Sequence, residues 1–287
     1  MTDLPPLPPT IIEPMVRRAL DEDFGTAGDV TANLLVPASA TATLYFRSRE
    51  DGIIAGMQAA QITYAMIDKN LSFTIHKGNG AHVSKGDIIA EVSGPVRGLL
   101  MAERTALNFL GRMSGIATLT SQYVKAVDGT GARIAATRKT TPGLRALEKR
   151  AVLAGGGHTH RQSLSDAIMI KDNHIALAGG IDAALTAIKA GADHMCRVSV
   201  EVDRLDQLEK ALPYAPDVIL LDNMGPEKLR QAVAIVNAFD GHRPVLEASG
   251  GVTLQTVRGL AECGIDVISI GGLTHSAPNF DIGLDAA

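Results

Sequence analysis

From about residue 132 onward, short apolar runs alternate with amphipathic stretches. The runs are ARIAATRK, AIMIKDNH, VSVEVD, VILLDN, VLEASGG and VISIGG. Between them lie GIDAALTAIKAG, RLDQLEKAL, GPEKLRQAVAIVN and TLQTVRGLAECG, whose apolar positions recur at helical spacing. This βαβα alternation predicts a parallel sheet with crossover helices. Continuous apolar strands predict that both faces of the sheet are covered. The first 130 or so residues read differently. The proline-rich first ten predict an extended arm, and residues 11–22 predict a helix (Ile11, Ile12, Met15, Val16, Ala19, Leu20) that ends at Gly25. ATATLYFRSR alternates as a strand, and residues 54–68 have helical spacing. LSFTIHKGNGAHVSKGDIIAEVSGPV predicts an antiparallel meander punctuated by glycine. A long helix is expected from about Leu99 to Val127, with breaks at Gly111 and Gly115.

The ends of the apolar runs carry chemistry. They finish on Arg138 and Lys139, then Lys171, Glu201, Asp222, Glu247 with Ser249, and Gly271 with Gly272. Both β/α barrels and open doubly wound sheets place ligands at the C-terminal ends of their strands. Barrel and open sheet therefore both remain open on this reading. The turns Ser249-Gly250-Gly251 and Gly271-Gly272 each join a strand to a helix at the last two runs. Backbone N–H groups in such turns suit a phosphate. Glu201 and Asp222 end successive runs; they suit a Mg²⁺ that keeps most of its waters, the hydroxyls of a ribose, or ion pairs with nearby cations. Arg138, Lys139, His160, Arg161 and Lys171 form a cationic wall. It exceeds what a phosphate monoester needs and implies a ligand with several carboxylates, or a carboxylate plus a diphosphate. Lys149 and Arg150 read as solvated surface charges, and so, taken alone, does Arg104.

Composition narrows the class. The 287 residues carry a formal net charge of −4, so a local basic cluster reads as a pocket for a small polyanion and not as a nucleic-acid surface. Aromatic content of 3% with no tryptophan argues against a stacking platform for bases. Cys196 and Cys263 lack metal-type spacing and read as buried free thiols in strand or helix. No apolar run approaches the ~18 residues of a membrane helix, and MTDLPPLPPT lacks the pattern of a secretory signal. A cytoplasmic protein is expected.

Longer motifs carry a family resemblance. TRKTTPGLRALEK, GGGHTHRQSLSDAIMIKDNHI, VEVD, ILLDNM, LEASGGV and ISIGGLTHS, with ERTALNFLGRMSGIAT and EDFGTAGDVT upstream, together resemble quinolinate phosphoribosyltransferases over nearly the whole chain. The resemblance implies an α/β fold: an N-terminal α/β sandwich (about 1–114, joined by the tail 276–287) and an incomplete TIM-like barrel (115–275). It implies Mg²⁺-dependent transfer from phosphoribosyl pyrophosphate (PRPP) to quinolinate with decarboxylation, in de novo NAD biosynthesis. It also implies a homodimer or larger homo-oligomer, with no nucleic-acid or membrane partner. Arg138, His160, Arg161 and Lys171 would hold the quinolinate carboxylates, and Arg104 would join them from the neighbouring subunit. Lys139, with Lys171, would meet the PRPP phosphates or the leaving pyrophosphate. Glu201 and Asp222 would serve Mg²⁺ and the ribose. Ser249, Gly250, Gly251, Gly271 and Gly272 would cradle the 5′-phosphate, assisted by His275. Thr159 departs from the family pattern, which often has Asn before the His-Arg pair.

Rival readings are a Schiff-base lyase using Lys171 and a lipoyl- or biotin-carrier hairpin around Lys85. Within the superfamily, the rivals are a nicotinate phosphoribosyltransferase or a molybdenum-transport-associated relative.

Overall fold

The computed structural model describes residues 5–286. Its strands are β1 (Thr41–Ser48), β2 (Gly52–Ile53), β3 (Ser72–Ile75), β4 (His82–Val83), β5 (Ile88–Pro95), β6 (Arg133–Ala135), β7 (Ile168–Ile170), β8 (Val198–Val202), β9 (Val218–Asp222), β10 (Val245–Ser249), β11 (Val267–Ser269) and β12 (Ile282–Ala286). They build a mixed α/β fold in two compact units. One comprises residues 1–121, 140–156 and 272–287, and the other 122–139 and 157–271.

The first unit is organised around an antiparallel sheet in the order β12-β1-β5-β3. Strand β12 pairs with β1 through Phe46↔Leu284 and Ser48↔Ile282, so the C-terminal strand completes the sheet begun near the N-terminus. Phe46, Tyr64, Val92, Leu99, Leu110, Phe280 and Ile282 fill one core between sheet and helices. Phe46, Tyr64 and Phe73 meet ring to ring with centroids 5.5–5.9 Å apart. Burial pushes the Tyr64 hydroxyl pKa up. The N-terminal helix runs Pro9–Phe24, beginning two residues earlier than its apolar spacing suggests because proline is tolerated in a first helical turn. Residues 1–4 of the expected arm lie outside the described residues.

The long helix is Val96–Ala126 and is continuous. Its expected breaks at Gly111 and Gly115 do not occur. A Cβ at Gly111 would come 2.9 Å from the Phe280 carbonyl oxygen, and one at Gly115 would collide with that of Pro278. These glycines admit the returning C-terminal chain against the helix. The meander also differs in detail: β3 and β5 pair antiparallel, whereas β4 pairs with the short β2. Lys85 therefore does not sit on a hairpin joining two strands of one sheet, as a carrier lysine would.

The second unit holds six parallel strands in the order β6-β11-β10-β9-β8-β7. Its first strand in sequence pairs with its last, with Val267↔Arg133 and Ser269↔Ala135. That pairing of first strand with last is the order of a barrel and decides between the two architectures. His158 extends the sheet beyond β6: its N–H donates to the Ile134 carbonyl at 2.8 Å and its carbonyl accepts from Ala136 N–H at 2.9 Å. Among the described residues no strand pairing joins β6 to β7, so the barrel is incomplete.

Candidate active site

Side chains alternate between the two faces of a strand, so register identifies which ones share the barrel interior. Met169 lies opposite Ser199, Ser199 opposite Val218, and Ser249 opposite Asp222. Lys171, Glu201, Asp222, Ser249 and Gly271 each follow an inward residue by two positions or are inward themselves. They therefore project from the C-terminal edge toward one side. Lower on the same face, Arg133, Ala135, Met169, Ser199, Val218, Val245, Glu247 and Val267 line a cavity of about 320 Å³, together with residues 158–161. A barrel interior is ordinarily filled by layers of bulky branched side chains. Here Ala135, Ser199 and three valines line a cavity whose wall also includes His160 and Arg161.

Within this unit Arg138 and Arg161 stand close enough for their charges to interact. Arg161 is half-buried, and its guanidinium pKa is lowered first by burial and then by the charge of Arg138. The two guanidinium groups therefore concentrate positive charge in one place. Arg161 donates through Nη1 to the Ala167 carbonyl at 2.9 Å, and its backbone N–H donates to His160 Nδ1 at 2.8 Å. His160 Nε2 stands 3.5 Å from Glu247 Oε2. Burial, then Arg133, pushes the His158 pKa down. Lys171 Nζ is 2.5 Å from Glu201 Oε2, and its side chain is 45% exposed. That ion-paired, half-exposed position is unlike the dry pocket a Schiff-base lysine needs. Lys139 is exposed at the end of the TRK segment.

Asp222 Oδ2 accepts from Asn223 Nδ2 at 2.7 Å. Asn223 has φ 53°, and its backbone N–H donates to the Ser249 carbonyl at 2.9 Å. Gly250 has φ 98°, and a Cβ there would come 2.6 Å from Asn223 Cγ. The glycine turn and the strand end at Asp222 are thus built as one piece through Asn223. Sequence reasoning missed Asn223, although the Asp-Asn pair closing VILLDN is a turn signal.

Gly272, His275, Arg104 and Lys149 belong to the first unit. Gly272 begins a short helix, Gly272–His275, and His275 Nδ1 pairs with Ser276 Oγ at 2.6 Å. Arg104 is exposed on the long helix, on the same face as Leu100 four residues earlier. Lys149, expected to be solvated, is 1% exposed in the helix Arg145–Ala154 beside the fully buried Glu148. Two charges inside an amphipathic helix need internal partners, and Glu148 has Arg112 and Thr141. Cys263 is buried, and burial raises its thiol pKa; Cys196 is only half-buried, in the loop before β8 rather than in a strand or helix.

The description "Quinolinate phosphoribosyl transferase, C-terminal domain" matches residues 116–285, and the corresponding N-terminal domain matches residues 29–114. This chain belongs to the quinolinate phosphoribosyl transferase family. Among members of that family, the nicotinate-nucleotide pyrophosphorylase [carboxylating] of Mycobacterium leprae (strain TN) is 42% identical over 276 residues, 94% of this chain and 95% of the relative. The mitochondrial quinolinate phosphoribosyltransferase [decarboxylating] 2b of Nicotiana tabacum is 39% identical over 300 residues, 98% of this chain and 84% of the relative. The solved nicotinate-nucleotide pyrophosphorylase from Francisella tularensis superposes with a TM-score of 0.92 at 37% identity, covering 100% of both chains. The quinolinate phosphoribosyl transferase fold is thus the α/β sandwich with an incomplete TIM-like barrel expected from the motifs.

Among the described residues, no cluster of three or more His, Cys, Asp or Glu could by itself cage a metal. Glu201 and Asp222 are hard oxygen donors on the same face of adjacent strands. Two such donors would suit a Mg²⁺ that keeps most of its waters. No helix of the described residues is long and apolar enough to cross a membrane.

Proposed function

We propose that this protein transfers the phosphoribosyl group of PRPP to quinolinate with loss of CO₂, giving nicotinate mononucleotide and pyrophosphate in de novo NAD biosynthesis. The observation that carries the reading is the nearness of Arg138 to Arg161, whose side chain lines a cavity together with His160. A dicarboxylate occupies such a pair by bidentate bonds at two points, which a monocarboxylate cannot do.

In this reading Arg138, His160, Arg161 and Lys171 anchor the two carboxylates and aim the ring nitrogen at the ribose carbon. Orientation of this kind supplies several kcal/mol of the barrier reduction, up to about 7–11 in ideal cases. The nitrogen lone pair forms the new C–N bond while the C–O bond to pyrophosphate breaks, and its electron pair leaves with pyrophosphate. Lys139 and Lys171 neutralise that developing charge. Glu201 and Asp222 would hold Mg²⁺ and the ribose, the metal supplying further neutralisation of the diphosphate. Ser249, Gly250, Gly251, Gly271, Gly272 and His275 seat the 5′-phosphate. The ribosylated ring nitrogen is cationic. The adjacent C–C bond then breaks, its electrons stay on the ring carbon beside that charge, and a proton from water replaces CO₂.

The protein acts as a homodimer in the cytoplasm, with Arg104 entering the partner's site. Support comes from the apolar surface on the first unit, where Leu34 is 85% and Leu35 76% exposed, and from Leu100 on the helix face that carries Arg104. Calorimetric titration with quinolinate and with nicotinate tests the dicarboxylate pocket. Quinolinate should bind at least tenfold more tightly, and equal affinities would overturn the assignment.

A further inference from the structure

One carboxylate stands where an anion pocket would least be expected to place it. Glu247, in the middle of β10, is 4% exposed and lines the barrel cavity. Val245, Val218 and Val267 beside it are apolar, so packing alone asks for another aliphatic side chain. A carboxylate there also repels the anions that Arg138 and Arg161 attract. What Glu247 supplies, and an aliphatic residue does not, is an acceptor facing His160 Nε2 at 3.5 Å. Its second oxygen, Oε1, has no hydrogen-bond partner among the described residues.

The other ring nitrogen settles the tautomer. Nδ1 of His160 accepts the Arg161 N–H at 2.8 Å. A nitrogen that accepts carries no proton, so a neutral ring carries its proton on Nε2, the nitrogen 3.5 Å from Glu247 Oε2. Arg161 is held at two points: its backbone N–H on this imidazole and its Nη1 on the Ala167 carbonyl.

We propose that Glu247 is a positioning residue: it fixes His160 in the Nε2–H tautomer, and His160 thereby fixes the backbone from which Arg161 reaches the dicarboxylate substrate. The role rests on the quinolinate reading above. Outer partners that set a histidine's tautomer commonly matter ten- to a hundredfold at metal sites, through orientation alone.

Glu247→Leu removes the acceptor and suits the valine-lined cavity; Glu247→Gln keeps an acceptor oxygen. Glu247→Leu should raise KM for quinolinate about tenfold or more with KM for PRPP within about twofold, and Glu247→Gln should restore most of the loss. In a ¹H–¹⁵N imidazole spectrum, with His160 assigned by its absence in His160→Phe, the wild type should show the Nε2–H form and Glu247→Leu a mixture. If Glu247→Leu does not fold, the more adaptable Glu247→Met replaces it. An unchanged quinolinate KM in an otherwise active variant, or an unchanged tautomer, overturns the role of Glu247. Parallel loss of both KM values with a lowered melting temperature also overturns it, in favour of a structural role. A wild type inert toward quinolinate overturns the parent reading instead, while the spectrum still reports whether Glu247 sets the tautomer.

Discussion

Arg112 grips the carboxylate of Glu148 from inside the first unit, with Nη2 3.0 Å and Nε 3.2 Å from Oε1. Glu148 is fully buried, and it also accepts the Thr141 backbone N–H at 3.0 Å and the Thr141 hydroxyl at 2.7 Å. Arg112 reaches further, donating to the Ala277 carbonyl at 2.9 Å and to that of Thr274. One ion pair thus ties together the long helix, the helix Arg145–Ala154, the chain two residues past Lys139 and the segment that carries His275.

Removing one partner of such a pair strands a buried charge. Arg112→Met should lower unfolding free energy by about 3–5 kcal/mol. Thr141→Val, which deletes one hydroxyl bond, should cost about 1.5–3 kcal/mol because the acceptor is charged. Urea denaturation of both variants checks this ordering, and a loss below about 1 kcal/mol for Arg112→Met contradicts the hub.

Arg138→Ala removes a charge-assisted contact to substrate worth about 1.5–3 kcal/mol, a factor of roughly 10–150. The expected result is a fall of that size or more in kcat/KM for quinolinate, with PRPP affinity largely kept. Near-normal kinetics would sink the pocket assignment.

Gly250→Ala combines an unfavourable positive φ with a clash against Asn223. Because Asn223 also holds Asp222, PRPP binding should weaken several-fold while quinolinate binding is spared. Titration with each ligand alone distinguishes the two, and equal losses would contradict a separate phosphate turn.

Arg104→Ala subunits mixed with Arg161→Ala subunits should recover activity that neither homodimer has. Random pairing leaves one native site in each mixed dimer, or about a quarter of wild-type activity. No recovery in verified mixed dimers would count against a shared site.

His158 has its pKa lowered by burial and by Arg133. The unfolded chain therefore takes up this proton first as pH falls. Stability contributed by the neutral ring is full above the ordinary histidine value of about 6.5 and is lost as pH drops through the lowered one. His158→Gln should narrow the acid sensitivity of the urea midpoint between pH about 7.5 and 5.5. A wild-type-to-variant difference that stays constant over that range would contradict the coupling.

Alternating apolar runs made the parallel strands of the second unit legible, because each strand and its following helix is a local pattern. The barrel-type strand order was not, since the pairing of β6 with β11 joins segments more than a hundred residues apart. Gly111 and Gly115 read as breaks because the backbone of Pro278 and Phe280 that needs them is equally distant in sequence. Lys149 read as solvated for a related reason: helical spacing shows which face is apolar, but not that a buried Glu148 lies alongside it. Glu247 was visible as a charge near a strand end. Only its parity with Ser249 placed it inside, and only the His160 geometry gave it a partner.

Turnover tests the decarboxylating transfer most directly. Purified protein with Mg²⁺, PRPP and quinolinate should yield nicotinate mononucleotide and CO₂ in equal amounts, and nicotinate offered in place of quinolinate should yield nothing. Product from nicotinate alone, or none from either acid, would contradict the account.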